Sequence, residues 1–176
     1  SVMSFSGTLY QLPPSLGWTS KGYRITRQRA AQGGVPPYTY TSSNPTIASV
    51  DSNGIVTGLR GGTVTISVKD SATGAASYSV QSAIVNYEIL SSGSYLSGAA
   101  SVPWVRGVGG ITVDNIANFI NDLNNQYIRP NYRGLWIGVI RTGLPDAYYF
   151  FDPSTNTFTS AYGSESNLVT ICAKRN

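Results

Sequence analysis

The side chains able to do covalent chemistry are few, and their spacing argues against catalysis. The chain has 176 residues, eight carboxylates, one cysteine and no histidine. Without histidine neither a Ser-His nor a Cys-His pair can form, which closes the usual route to an activated nucleophile. Cys172 lies in the strand-forming run Leu168 to Ala173 and has no partner for a disulfide within the chain. It is most simply a small buried hydrophobe, with an intermolecular bridge or a reactive thiol as the other readings. The carboxylates are dispersed, and Glu88 and Glu165 are the only glutamates. Asp146 and Asp152 are close in sequence, as a glycosidase-like pair would be, although one exposed turn holding both is the commoner origin. Gly107-Val108-Gly109-Gly110 lacks the full glycine spacing of a phosphate cradle and serves better as a lead-in to a helix. With no acidic cluster of the Asp-x-Asp-x-Asp kind, neither a metal site nor a cofactor is expected.

Charge narrows the partners. The formal net charge is +4, and Lys21, Arg24, Arg27 and Arg29 crowd one stretch. A nucleic-acid surface would show a domain-wide basic stripe with aromatic platforms; here the other basic residues are scattered, so a solvated strand and loop is the better reading and no nucleic-acid partner is expected. Ser1-Val2-Met3-Ser4 carries no secretion signal, and no apolar run approaches the roughly 20 residues needed to span a bilayer. The fragment is expected to be soluble, without direct membrane contact, and monomeric.

The elements that must position any site begin with the run from Tyr38 to Val68. Ile47 to Val50 is a short apolar segment, Asp51-Ser52-Asn53-Gly54 a turn, and Ile55-Val56-Thr57 a second segment. Asn-Gly supplies the positive backbone angles of a tight hairpin, so the two segments should pair antiparallel. After Gly61-Gly62, Val64, Ile66 and Val68 alternate with Thr63, Thr65 and Ser67, the period of a strand with one buried face. Val2 to Leu12, Tyr23 to Arg29 and Ala75 to Val80 complete the strands, the last with Tyr78 and Val80 on one face. Leu16 to Lys21 is expected as a loop. Short strands about eight to twelve residues apart describe an all-β sandwich, closing near Ser82.

Beyond Ser82 the pattern changes. Ile84 to Leu90 is a further strand. Ser91 to Gly110 is long, small and glycine-rich, with Trp104 nearly alone in it, and is expected as an irregular loop. Trp104 either pins that loop as a satellite core residue or stands out as an anchor for a partner. Thr112 to Ile128 is the one convincing helix: Val113, Ile116, Ala117, Ile120, Leu123 and Tyr127 recur at helical spacing, opposite Asp114, Asn118, Asn121, Asp122 and Asn125. Thr112 or Asp114 can cap it and Pro130 ends it. Leu135 to Ile140, Ala147 to Phe151 and Leu168 to Ala173 are strands, with Asp152 to Asn156 a turn. One helix on several strands makes an α+β domain, so residues 1–82 and 83–176 are expected as two domains.

Ser42-Ser43-Asn44-Pro45-Thr46-Ile47-Ala48-Ser49-Val50-Asp51, then Gly54-Ile55-Val56-Thr57-Gly58-Leu59, Gly62-Thr63 and Thr65-Ile66 resemble the bacterial immunoglobulin-like (Big2) domain. Trp136-Ile137-Gly138-Val139 and Thr170-Ile171-Cys172-Ala173-Lys174 resemble the "WIGL" and closing strands of a C-type lectin-like domain. The two in this order are similar to the C-terminus of the intimin/invasin family. Those inverse autotransporters are adhesins of Gram-negative bacteria, held in the outer membrane by an N-terminal β-barrel. Two departures stand out. The family's tip disulfide, from a first helix to the closing strand, has no counterpart because Cys172 is alone, and the first helix itself is expected to be replaced by Ser91 to Gly110.

The resemblance implies non-enzymatic adhesion: a rigid immunoglobulin-like module supporting a lectin-like tip that binds a host protein, either a receptor or a serum protein such as immunoglobulin. A structural stalk or cap with self-association, and calcium-independent glycan binding, are the other readings. The Glu-Pro-Asn and Trp-Asn-Asp motifs of calcium-dependent sugar binding are missing. Protein contacts are carried by aromatic and arginine anchors; the candidates are Trp104, Arg106, Arg141, Tyr148, Tyr149, Phe158 and Tyr162.

Overall fold

The computed structural model describes residues 1–111, 116–130, 135–140, 147–152, 157–162 and 168–176. In chain order the strands are β1 (Val2–Gln11), β2 (Thr19–Ser20), β3 (Ile25–Gln28), β4 (Thr39–Ser42), β5 (Ala48–Val50), β6 (Ile55–Gly58), β7 (Gly62–Lys69) and β8 (Ala75–Leu96). Helices α1 (Gly98–Gly107) and α2 (Ile116–Gln126) follow, then β9 (Tyr127–Ile128), β10 (Leu135–Ile140), β11 (Ala147–Asp152), β12 (Thr157–Tyr162) and β13 (Leu168–Arg175). Two compact units result. The first combines Ser1–Leu9 with Arg24–Asn86, the second Tyr10–Tyr23 with Tyr87–Asn176.

The first unit is built from the motif residues. Asp51 Oδ1 accepts from the amides of Asn53 and Ile55, both at 2.9 Å, and Gly54 takes the positive φ of 74° that the turn requires. The expected antiparallel pairing follows, with Ser49 opposite Thr57 and Val50 opposite Val56. Strand order in this sheet is β3-β6-β5. In the other sheet β7 lies between β4 and β8, and its register puts Val64 opposite Val80 and Ile66 opposite Tyr78. These four are buried together with Met3, Phe5, Ala48, Val56 and Ile84, the inward set that the alternation predicts. The polar residues of the Ser-Ser-Asn-Pro stretch close the chain on itself: Ser42 Oγ donates to the Ala48 carbonyl at 2.6 Å, and Ser43 Oγ accepts from the Thr65 amide at 2.9 Å.

The boundary between the units falls after Asn86 and not after Ser82. The ladder with β7 extends to Gly62 opposite Ser82, and Asn86 Nδ2 still donates to the Leu59 carbonyl at 3.0 Å. Ala75 to Val80 and Ile84 to Leu90 are accordingly parts of one strand, β8, and not two. A second difference is the excursion of residues 10–23 into the second unit. Tyr10, Leu12, Leu16 and Trp18 belong to its apolar core with Ile89, Phe119, Ile120, Leu123 and Ile171, which outweighs the sequence proximity of this stretch to β1. Within it, the expected loop Leu16 to Lys21 contains β2, which pairs with β9.

In the second unit the strand order is β12-β11-β10-β13-β8, with β10 parallel to β13 and the remaining neighbours antiparallel. Strand β12 is an addition to the strands expected from the sequence. The stretch Ser91 to Gly110 is not an irregular loop: β8 continues to Leu96 and α1 occupies Gly98–Gly107, so a helix stands where an irregular loop was expected. Ser97 caps it by accepting from the Ala100 amide at 3.2 Å. Its buried residues are Gly98, Ser101 and Val105, correctly spaced for a helix but too small to register as an apolar stripe, and Pro103 inside it is ordinarily a breaker. Helix α2 ends at Gln126, two residues before the expected end. Its last carbonyls are met by Lys21, whose amide donates to Gln126 O at 2.9 Å and whose ammonium donates to Asn124 O. The expected caps Thr112 and Asp114, and Val113, lie outside the described residues.

Candidate functional site

Trp104 and Arg106 are the anchors on α1. Trp104 is half-buried and Arg106 exposed in the last turn, where a cation complements the partial negative charge of a helix C-terminus. The helix packs on β10, β11 and β13. Its exit is fixed by Gly110, whose amide donates to the Val105 carbonyl at 2.9 Å, and by Ile111, whose amide donates to Ala173 O at 2.8 Å. A Cβ at Gly110 would overlap Cys172 Sγ, so the approach of this segment to β13 depends on glycine.

Tyr148 and Tyr149 are on β11 and Phe158 and Tyr162 on β12. Continuous register sets Ala147 opposite Tyr162, Tyr149 opposite Ser160 and Phe151 opposite Phe158. Because directly paired residues share a face, positions 149, 158 and 162 fall on one face of this ribbon and position 148 on the other. The candidates therefore divide between the two faces of the ribbon. Arg141 lies outside the described residues, as does Asp146 of the carboxylate pair; Asp152 ends β11 opposite Thr157.

Exposure adds a residue that the sequence reading passed over. Tyr95, at the end of β8 and opposite Val169, is 70% exposed. It is a lone aromatic among serines and glycine, the same signal that drew attention to Trp104. Tyr23, Ile111 and Ile128 in this unit are also exposed.

Among the described residues of this unit, the titratable groups with displaced values, Tyr10 and Cys172, belong to the interior. Burial pushes the Cys172 thiol up to about 11, and the side chain is 2% exposed, as expected of a small hydrophobe. Burial, then the nearby Asp122 carboxylate and Tyr87, raise Tyr10 to about 12. Tyr10 stacks on Tyr87 with ring centroids 5.8 Å apart and meets Phe119 edge-on at 5.5 Å. No group of three or more His, Cys, Asp or Glu side chains comes together among the described residues, and none of their helices is long and apolar enough to cross a membrane. Among the described residues of this unit, Tyr23, Tyr95 and Arg106 are exposed aromatic and cationic side chains.

Residues 25–73 match the family of the intimin immunoglobulin-like domain. Solved structures similar to the chain include the C-terminal 282-residue fragment of intimin in complex with the intimin-binding domain of the translocated intimin receptor. It is 26% identical, with 89% of this chain and 58% of that one covered at a TM-score of 0.48. Intimin-190 from enteropathogenic E. coli is 23% identical over 86% of this chain and 85% of that one, at a TM-score of 0.43. Invasin, a bacterial integrin-binding protein, is 15% identical over 79% of this chain and 31% of that one, at 0.37. No curated protein sequence matches the chain.

Proposed function

We propose that the chain, whose residues 25–73 match the intimin immunoglobulin-like domain family, belongs to the intimin/invasin family and is the distal part of a bacterial surface adhesin. The first unit supports the second, and the second is a C-type lectin-like tip that binds a host protein without catalysis. The observation that carries this reading is the family match over residues 25–73, followed in the chain by a unit of two helices and a mixed sheet. The protein of which it is part is held at the outer membrane of a Gram-negative bacterium. Recognition uses Trp104 and Arg106 on α1 together with the aromatic ribbon of Tyr148, Tyr149, Phe158 and Tyr162, large and rigid contact groups of the kind that dominate binding energy.

The test is binding of the purified chain to host cells and serum proteins, beside a variant with Trp104, Tyr148 and Tyr149 all changed to serine and shown by circular dichroism to be folded. Loss of protein binding is the expected result. Binding unchanged by the substitutions, or absent from both forms, would favour a structural stalk module. Loss confined to glycan ligands would favour sugar recognition.

A further inference from the structure

The immunoglobulin-like unit has an open sheet edge bearing two cations that neither carboxylate of the unit answers. Strand β3 pairs with β6 alone and ends its sheet. The Arg29 amide donates to the Gly54 carbonyl at 3.0 Å, across to the loop that leads into β6. Amides alternate sides along a strand, so those of Thr26 and Gln28 point away from β6 to the open side. Arg27 stands opposite Val56, a fully buried core residue, and directly paired residues share a face. Arg27 and Arg29 are therefore on the inward face of the edge strand. They and Gln28 form one wall of an open cleft of about 470 Å³ whose other wall is Val2, Met3 and Ser4.

The charge in this cleft is uncompensated. The unit holds five basic residues against two carboxylates, Asp51 and Asp70. Both carboxylates are engaged elsewhere, Asp51 by the amides of Asn53 and Ile55 and Asp70 by those of Val35, Ala72 and Gly74. Arg29 lies over the Tyr78 ring at 4.4 Å and donates to Ser1 Oγ at 2.8 Å, contacts that fix its direction and leave its charge unpaired. Arg27 is exposed.

We propose that the open edge of β3 takes up an extended acidic peptide segment of a partner protein as an added strand. The outward N–H and C=O groups of Thr26 and Gln28 supply main-chain hydrogen bonds, and Arg27 and Arg29, two residues apart on one face, pair with carboxylates at alternate positions of the incoming strand. This surface is distinct from the tip and does not rest on the function proposed above.

Fluorescence anisotropy of the full chain with a labelled peptide of alternating glutamate and valine, and with its glutamine counterpart, tests it. The acidic peptide should bind, with the neutral one weaker by about tenfold, the scale of losing a charge-assisted hydrogen bond. Arg27→Glu should weaken the acidic peptide by a similar factor. Gln28→Pro removes an amide that the β6 ladder does not use, a position where an edge strand tolerates proline, and should abolish binding while the far-ultraviolet spectrum is retained. Arg60→Glu, an exposed arginine of the same unit outside the cleft, should leave binding unchanged. Equal affinity for the two peptides, or no binding at all, would overturn the proposal and leave the arginines as guards against edge-to-edge association. Equal losses from Arg27→Glu and Arg60→Glu would overturn it in favour of general charge attraction. A concentration-dependent dimer that Gln28→Pro disperses would assign the edge to a second copy of the chain and overturn it as well.

Discussion

The backbone amide of Tyr10 donates to Gln126 Oε1 at 3.0 Å, tying the excursion of residues 10–23 to the last residue of α2. Gln126 is 6% exposed, so its removal leaves the Tyr10 amide without that partner in a poorly hydrated place. Gln126→Ala should destabilise the second unit by about 1–3 kcal/mol. Tyr127→Phe, which deletes a hydroxyl donating to the Tyr10 carbonyl at 2.6 Å, should cost about 1 kcal/mol. The two changes share Tyr10 and should not add. All three tryptophans, Trp18, Trp104 and Trp136, belong to the second unit, so urea unfolding followed by tryptophan emission reads its stability directly. An unchanged midpoint in Gln126→Ala would show that the excursion is held by apolar packing alone.

Gly54 anchors the corresponding prediction for the first unit. Its φ is +74°, and an added Cβ would come within 2.6 Å of the Arg29 carbonyl and 3.0 Å of the Tyr40 ring. Gly54→Ala therefore combines a left-handed backbone with a steric overlap, and should cost more than about 1 kcal/mol. Amide exchange at Val64, Ile66 and Val80, which pair or neighbour in the β7–β8 ladder, should accelerate accordingly. Exchange rates equal to those of the unaltered chain would contradict the steric reading.

These two positions also mark how far the fold was legible in the sequence. The first unit was legible because its signals are local and redundant: alternation along β7, turn chemistry at Asp51 to Gly54 and backbone-satisfying side chains at Ser42 and Ser43 all specify the same pairing. Helix α1 was not, because Gly98, Ser101 and Val105 bury small surfaces and Pro103 signals a break. Its helicity is set by the cap at Ser97 and by packing on β10, β11 and β13, and the strands of that packing are distant in sequence. The excursion of residues 10–23 was hidden for the same reason, since Tyr10 and Gln126 are 116 positions apart. Of the candidate anchors, chain order put Tyr149 in a strand-forming run but Phe158 and Tyr162 in none, and only the β11–β12 register brings the three positions to one face.

Cys172 should be chemically silent in the folded chain. Its thiol is 2% exposed and held at about 11 by burial, so the nucleophilic thiolate is scarce at neutral pH and reagents have little access. Iodoacetamide at pH 7.5 should leave it unmodified over a time in which the urea-unfolded chain is fully alkylated, as intact mass would show. Modification at equal rates in both states would revive the reading of a reactive or bridging thiol.

Tyr10 gives the second unit an alkaline sensitivity of defined sign. Its folded value is pushed up to about 12, first by burial and then by Asp122 and Tyr87, whereas an unfolded tyrosine ionises near 10. Between these values the unfolded chain releases a proton that the folded chain retains, so stability present below pH 10 is lost as pH rises toward 12. Tyr10→Phe should flatten that decline. Asp122→Asn should flatten it in part, because a neighbouring negative charge no longer opposes phenolate formation. Tyr78 in the first unit is also raised by burial, so tryptophan-detected unfolding midpoints between about pH 9 and pH 11.5 are the measurement that isolates the second unit. An alkaline decline equally steep in Tyr10→Phe and in the unaltered chain would assign the effect to other groups.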